Sequence, residues 1–79
     1  MTYGPLVEKV IKSVVENPDQ VAIREEEGND GRTFYVTCAK EDVGKVIGKS
    51  GRVISAIRQV VSAVASKGRE RAYVRVDAD

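Results

Sequence analysis

The stretch that decides the fold is Val46–Ile54, which reads Val-Ile-Gly-Lys-Ser-Gly-Arg-Val-Ile. Two polar residues stand between Gly48 and Gly51, and apolar residues flank the group on both sides. Glycine tolerates positive φ and has no side chain, so the backbone can turn sharply there and approach a ligand closely. A tight loop that exposes peptide N–H groups beside Lys49 and Arg52 suits a phosphate group.

Charge is concentrated around this loop. The whole chain of 79 residues carries a formal net charge of only +1. Between residues 40 and 58, five basic residues stand against two acidic ones, which gives +3 and leaves −2 for the rest. The basic residues of this patch are Lys40, Lys45, Lys49, Arg52 and Arg58. The length predicts one small domain over residues 1–79.

Several classes of function are disfavoured by composition. The chain contains no His, which is the commonest general base and metal ligand, so we expect no catalytic residue, metal site or cofactor. Cys38 is the only cysteine, which excludes an intrachain disulfide and favours a reducing compartment. No apolar run reaches the roughly 18 residues of a membrane span. We therefore expect a cytoplasmic protein that is not an enzyme.

Hydrophobic spacing and turn signals predict the elements. Apolar residues at intervals of three and four indicate helices, alternation indicates strands, and Gly28-Asn29-Asp30-Gly31 indicates a hairpin turn. Asp42 is placed to cap the short helix before the loop, and Lys67-Gly68 to end the long helix after it. The expected elements are a helix from Pro5 to Asn17, strands over 20–25 and 32–39, helices over 43–47 and 52–66, and a strand over 71–77.

The resulting order, α-β-β-α-α-β, predicts an α+β fold with three helices on one face of a three-stranded mixed sheet. If the strands that flank the two later helices are parallel neighbours, the connection between them should be right-handed. Alternation in the second strand buries Phe34, Val36 and Cys38 on one side. Cys38 is accordingly predicted to be a small buried hydrophobic residue, because nothing in its setting indicates a reactive thiol.

The long helix has more apolar surface than a single core contact requires. Its apolar residues sweep an arc of roughly 200°, whereas a surface helix usually shows an arc a little above 100°. Either the helix is deeply embedded, or one edge packs inward while the other lines a groove or contacts another subunit. We favour the second reading, because so short a chain can hardly surround a helix, and Val60, Val61 and Val64 are the predicted dimer interface.

Spacing separates the loop from other glycine-rich motifs. A P-loop needs a glycine where this chain has Val43, and a dinucleotide-binding loop needs one where it has Val46. The segment Arg32–Val36 lacks the glycines of an RNA-recognition motif. What remains is a Gly-x-x-Gly loop between two helices.

Residues 42–54 resemble the signature of the KH (K-homology) family, an Ile-Gly-x-x-Gly loop with an aliphatic residue three places later. The element order looks like the type II, prokaryotic form of that fold, and the resemblance covers essentially the whole chain. A free-standing domain of this length, continuing Ser55-Ala56-Ile57-Arg58, is most similar to the small bacterial KhpA-type RNA-binding proteins.

The resemblance implies that about four nucleotides of single-stranded RNA, with DNA as the less favoured alternative, are held in a narrow cleft. Gly48 and Gly51 would bring the backbone near the RNA, and we expect the strand Arg32–Cys38 to form the opposite wall. The other expected roles are phosphate neutralisation by Lys49 and Arg52, a hydrogen bond from Ser50, second-line phosphate contacts from Lys45 and Arg58, and an apolar floor of Val46, Ile47 and Ile54. For Ile47 and Ile54, packing in the core is an equally weighted alternative.

The resemblance also implies association between domains. With one Phe and three Tyr, the chain offers little base stacking, so we expect useful affinity to come from pairing RNA-binding domains. The expected partners are single-stranded RNA and a second copy of the chain, a KhpB-type (Jag-like) protein that carries its own KH domain, or both. The predicted function is a non-catalytic RNA chaperone or post-transcriptional regulator. The alternative is a protein-interaction or dimerisation scaffold that binds little RNA.

Overall fold

The element order is the predicted one in a computed structural model, which describes residues 3–78. Short 3₁₀ turns at Pro18–Gln20, Lys40–Asp42 and Lys49–Gly51 connect some of the main elements. The main elements are α1 (Gly4–Lys12), β1 (Ala22–Gly28), β2 (Gly31–Cys38), α2 (Val43–Ile47), α3 (Arg52–Lys67) and β3 (Ala72–Ala78).

The sheet is mixed, as predicted. β1 pairs antiparallel with β2 across the two-residue turn Asn29-Asp30, and β2 pairs parallel with β3. The strand order is β1-β2-β3, so β2 is the central strand and β3 has one open edge. The carboxylates of residues 25–27, expected at a solvated strand end, lie in β1 and are exposed.

One face of the sheet carries the core. Phe34, Val36 and Cys38 of β2 are wholly buried, and Val74 of β3 is nearly so, while the alternate residues point away from the core. All three helices pack on this face, which confirms the predicted α+β arrangement. The helix residues buried there are Val7 and Ile11 of α1, Val46 of α2, and Ile54, Ile57, Val61 and Ala65 of α3.

The first helix is shorter than predicted. It ends at Lys12, and the hydroxyl of Ser13 donates a hydrogen bond of 2.6 Å to the Val10 carbonyl. The prediction that it reaches Asn17 was wrong because the backbone N–H groups of Glu16 and Asn17 donate to the Asp42 carboxylate instead. A contact distant in sequence therefore overrides the local apolar spacing.

Asp42 occupies the N-cap position of α2, but its side chain makes no capping hydrogen bond to that helix, so the predicted cap was wrong. The carboxylate is wholly buried. It accepts hydrogen bonds from Glu16 N (3.2 Å), Asn17 N (3.0 Å) and Asn17 Nδ2 (3.0 Å). Asp42 thus ties the segment after α1 to the start of α2, and so holds the short helix that leads into the loop.

The broad apolar arc of α3 is divided between the core and solvent. Val61 is wholly buried, so its predicted place in a dimer interface was wrong. Val64 is partly buried and packs against the core, whereas Val60 is 48% exposed. The end of α3 is as predicted, because the helix ends at Lys67 with Gly68 as its C-cap, and the left-handed residue is the next one, Arg69 (φ 60°). A Cβ at Gly68 would lie 2.7 Å from the Tyr3 hydroxyl.

Candidate nucleic-acid interface

The Gly-Lys-Ser-Gly loop is held in a backbone conformation that ordinary residues avoid. Gly48 has φ 78° and ψ 172°, a region that is essentially restricted to glycine. Ser50 (φ 57°) and Gly51 (φ 72°) are both left-handed. Such conformations are unfavourable for side chains with a Cβ, and they concentrate at functional sites. Both glycines therefore adopt the positive φ that glycine tolerates.

The two glycines have different steric surroundings. A Cβ on Gly48 would lie 2.4 Å from Val53 Cγ2 and 2.8 Å from Val53 N, so the space beside Gly48 is already filled by the first turn of α3. A Cβ on Gly51 would meet nothing within 4 Å. Gly48 is therefore required to close the loop onto α3, while the space beside the Gly51 backbone is open.

The predicted contact residues fall into two groups. Lys45, Lys49, Ser50 and Arg52 are exposed, and Ile47 is 38% exposed, so these side chains are accessible at or beside the loop. Val46 is wholly buried and Ile54 is 7% exposed, and both belong to the core. The predicted apolar floor is therefore wrong for Val46 and Ile54, which pack in the core next to the loop. Of the three predicted floor residues, Ile47 alone is accessible.

The charged side chains at the loop are basic, and one acidic side chain lies next to them. The Lys45 ammonium lies 3.6 Å from the Glu16 carboxylate in an exposed ion pair, which contributes little in water. No ion pair is formed by Lys49 or Arg52 among the contacts described for residues 3–78. Within the same residues, no group of three His, Cys, Asp or Glu side chains is arranged to hold a metal ion.

The outer strand beside α2 and α3 is β3, whereas the sequence analysis expected β2 to form the facing wall. The central strand β2 is paired on both sides, whereas β3 is the outer strand and contacts both α2 and α3. Arg58 Nε of α3 donates a 3.1 Å hydrogen bond to the Val74 carbonyl of β3. Arg58, predicted as a phosphate contact, therefore links the long helix to the strand beside it.

A groove of about 880 Å³ follows β3 at this place. Arg58 and Ser62 line it from α3, and the residues 72–77 line it from the strand. The sequence prediction missed these strand residues because it did not derive which strand would be outermost. The sequence did contain a signal for these residues. The chain passes from β2 through α2 and α3 to the parallel strand β3, so β3 directly follows the helix that begins at the loop.

An α-β-β-α-α-β chain with this sheet and a Gly-x-x-Gly loop between its second and third helices is a KH domain of type II. Residues 5–76 match the family model for the KH domain of KhpA and KhpB, and the chain belongs to that family.

Relatives named "RNA-binding protein KhpA" resemble the chain along nearly its whole length. The protein of Caldanaerobacter subterraneus subsp. tengcongensis is 42% identical over 73 residues, which are 92% of this chain and 97% of that protein. The protein of Clostridium acetobutylicum is 42% identical over 71 residues, 90% of this chain and 95% of its own length. The protein of Listeria monocytogenes is 38% identical over 71 residues, 90% of this chain and 93% of its own.

A solved structure has the same fold at low sequence identity. The crystal structure of an Aquifex aeolicus Era variant bound to GDP·AlF₄⁻ matches with a TM-score of 0.61 and 13% identity. The match covers 95% of this chain and 29% of that one. At this identity the likeness concerns the fold alone.

Proposed function

We propose that this protein binds single-stranded RNA in the cleft between the Gly-Lys-Ser-Gly loop and the open edge of β3, and that it acts as a non-catalytic RNA chaperone or regulator. The observation that carries the proposal is the open backbone surface at Gly51, which lies between the exposed side chains of Ser50 and Arg52. Similar proteins that carry the name RNA-binding protein KhpA support the same conclusion.

Each part of the loop then has a physical task. Lys49 and Arg52 neutralise phosphates, and the Ser50 hydroxyl donates a hydrogen bond to a phosphate oxygen. The exposed Ile47 provides an apolar contact for a base or sugar. Because few phosphates are contacted, binding should be weak and its dependence on salt shallow, with a slope of roughly −0.7 per phosphate neutralised on a single strand.

The test compares Gly51→Asp with Gly51→Asn. Asp and Asn both tolerate a left-handed backbone better than most other residues, and either side chain would enter the open space beside residue 51. The two variants therefore differ mainly in one negative charge. We expect Gly51→Asp to bind a short single-stranded RNA about tenfold or more weakly than Gly51→Asn, because its carboxylate faces phosphate. The measurement is a titration monitored by NMR at two salt concentrations, with thermal unfolding of both variants as a check of the fold.

Equal affinities of the two Gly51 variants for RNA would contradict the cleft assignment. Wild-type protein that binds no RNA at low salt would favour the alternative function, a protein-interaction scaffold. Substitutions at Gly48 are unsuitable for this test, because a side chain there collides with Val53 and perturbs the fold together with the site.

The proposal includes association through the exposed edge of α3. Val60 is 48% exposed beside the half-buried Val64. Burial of Val60 against a second copy of the chain or a KhpB-type KH protein removes apolar surface from water and so stabilises the complex.

No helix within residues 3–78 is long and apolar enough to cross a membrane. We place the protein in the cytoplasm, where RNA and such partners are available.

Val60→Asp should abolish a homodimer formed in this way, because it buries an unpaired charge at the interface. Gln59→Asp is the matched control, since it adds the same charge at the neighbouring exposed position. Sedimentation velocity across a range of concentrations distinguishes monomer from dimer for both variants. Wild-type protein that sediments as a monomer at high concentration would contradict the homodimer.

A further inference from the structure

The face of the sheet opposite the helices carries aromatic and guanidinium side chains side by side. In the pairing register Tyr35 of β2 lies between Arg24 of β1 and Arg75 of β3, and Tyr73 lies beside Thr33. The Arg24 guanidinium is 4.7 Å from the centre of the Tyr35 ring. We define these residues as the open-face platform: Arg24, Thr33, Tyr35, Tyr73 and Arg75.

The platform is accessible. Tyr73 is 39% exposed, one of the largest exposures of a bulky apolar side chain in the described chain, and Arg75 is exposed as well. None of the three helices packs on this side, since their buried residues belong to the core on the opposite face. An exposed tyrosine ring presents a flat surface on which a nucleobase can stack.

The platform is continuous with the groove along β3, the strand that forms one side of the proposed cleft. The groove of about 880 Å³ is lined by Arg58 and Ser62 of α3 on one side of β3, and by Thr33, Tyr73 and Arg75 from the open face. One depression therefore passes from the helix side of β3, over its unpaired edge, to the exposed tyrosine. Residues 72–77 of β3 line this groove, so a flexible strand that follows it along α3 lies beside Arg75 and Tyr73.

The chemistry favours single-stranded RNA over other occupants. Glu26 and Asp77 lie on the same face and offset the two arginines, so the platform is not a purely electrostatic phosphate site. Unstacked bases can use the tyrosine rings, whereas a duplex hides its base faces. A peptide strand adding to β3 is disfavoured, because the Arg58 guanidinium already occupies the Val74 carbonyl at the open edge.

We propose that the open-face platform is a second RNA-binding surface, on which a base leaving the cleft stacks on Tyr73 while Arg75 contacts the adjoining phosphate. This inference rests on the proposed RNA binding at the loop. It predicts that an RNA longer than the cleft binds more tightly than one that only fills it, without any second copy of the protein.

The test uses two single-stranded RNAs without self-complementarity, one of about four nucleotides and one of about ten. Each is titrated into ¹⁵N-labelled wild-type, Tyr73→Ala and Tyr73→Phe protein. Both RNAs should shift the amide resonances around Gly51, and only the longer RNA should shift those of Tyr35 and Tyr73. Tyr73→Ala should weaken binding of the longer RNA by about tenfold and leave the shorter within about twofold, while Tyr73→Phe keeps the ring and most of the affinity.

The outcomes separate the two proposals. If neither RNA perturbs the loop of the wild-type protein, the proposed function fails. If both RNAs perturb the loop, bind equally and are indifferent to Tyr73→Ala, the loop proposal stands and the platform is overturned. If Tyr73→Ala instead abolishes self-association in sedimentation without changing the affinity of monomeric protein for the longer RNA, the platform is a protein contact and the inference is wrong. Because Tyr73 is exposed, its variants should fold, which circular dichroism checks.

Discussion

Gly48→Ala is expected to lower the free energy of unfolding by about 3–5 kcal/mol. The new Cβ would lie 2.4 Å from Val53 Cγ2 and 2.8 Å from Val53 N, and the backbone atom cannot move without unwinding the start of α3. Overpacking of this kind costs about 1–3 kcal/mol, and a residue with a Cβ at φ 78° and ψ 172° adds a similar amount of strain. A domain of this length has roughly 4–12 kcal/mol of stability in total, so the loss is a large share.

Gly44→Ala is the matched control for this substitution. Gly44 lies inside α2, has no positive φ, and its added Cβ would meet nothing within 4 Å. Replacing an exposed helical glycine by alanine should stabilise the protein by about 0.5–1 kcal/mol. Urea unfolding of both variants measures the difference directly. A Gly48→Ala protein as stable as Gly44→Ala would show that the loop relaxes at little cost, contrary to the steric argument.

Local patterns were sufficient for the order of the elements and for the loop. Alternation in residues 32–38 and the four-residue turn before them defined the hairpin, because strands and turns of this kind depend on near neighbours in sequence. The Gly-x-x-Gly spacing located the loop, and its glycines indeed have positive φ. Residues that must adopt unusual backbone geometry are restricted in type, which makes such a loop visible in the sequence.

Contacts between distant segments account for the errors. The apolar arc of α3 placed Val61 at an interface, and the family resemblance placed Val46 and Ile54 on a cleft floor. All three are buried, because helices and sheet share one core. The outer position of β3 follows from how three strands are ordered in space, which periodicity does not encode. The groove and the open-face platform both depend on that order, so neither was derived from the sequence.

Asp42 is the clearest case in which a distant contact has a testable consequence. Burial alone would raise the pKa of this carboxyl group. The hydrogen bonds from the Asn17 side chain and from the backbone N–H groups of Glu16 and Asn17, with the nearby Lys45 ammonium, outweigh burial and lower the pKa below its usual value. A carboxylate whose pKa is lower in the folded state stabilises the fold above the pKa of the unfolded chain, and this contribution is lost as the pH falls through the folded-state pKa.

Asp42→Asn should therefore lower the melting temperature on the order of 10 °C near neutral pH. The amide offers only one acceptor oxygen, so its NH₂ group must face at least one of the N–H donors of Glu16 and Asn17. The difference in melting temperature from wild type should be complete above about pH 5. It should shrink as the pH falls below about 4, where Asp42 of the unfolded chain takes up a proton, and its charge-dependent part is lost once the pH passes below the lowered pKa of the folded state. Thermal unfolding followed between neutral pH and about pH 3 measures this dependence.

Asp19→Asn makes the same change of charge at an exposed position and should alter the melting temperature by no more than about 2 °C. If the difference in melting temperature between Asp42→Asn and wild type stays constant down to the lowest pH, the charge of Asp42 contributes nothing to the stability of the fold. Because Asp42 joins the segment after α1 to the start of α2, its loss should also loosen the helix that leads into Gly48. The RNA affinity of Asp42→Asn should then fall even at temperatures where the protein remains folded, which links the buried carboxylate to the exposed loop.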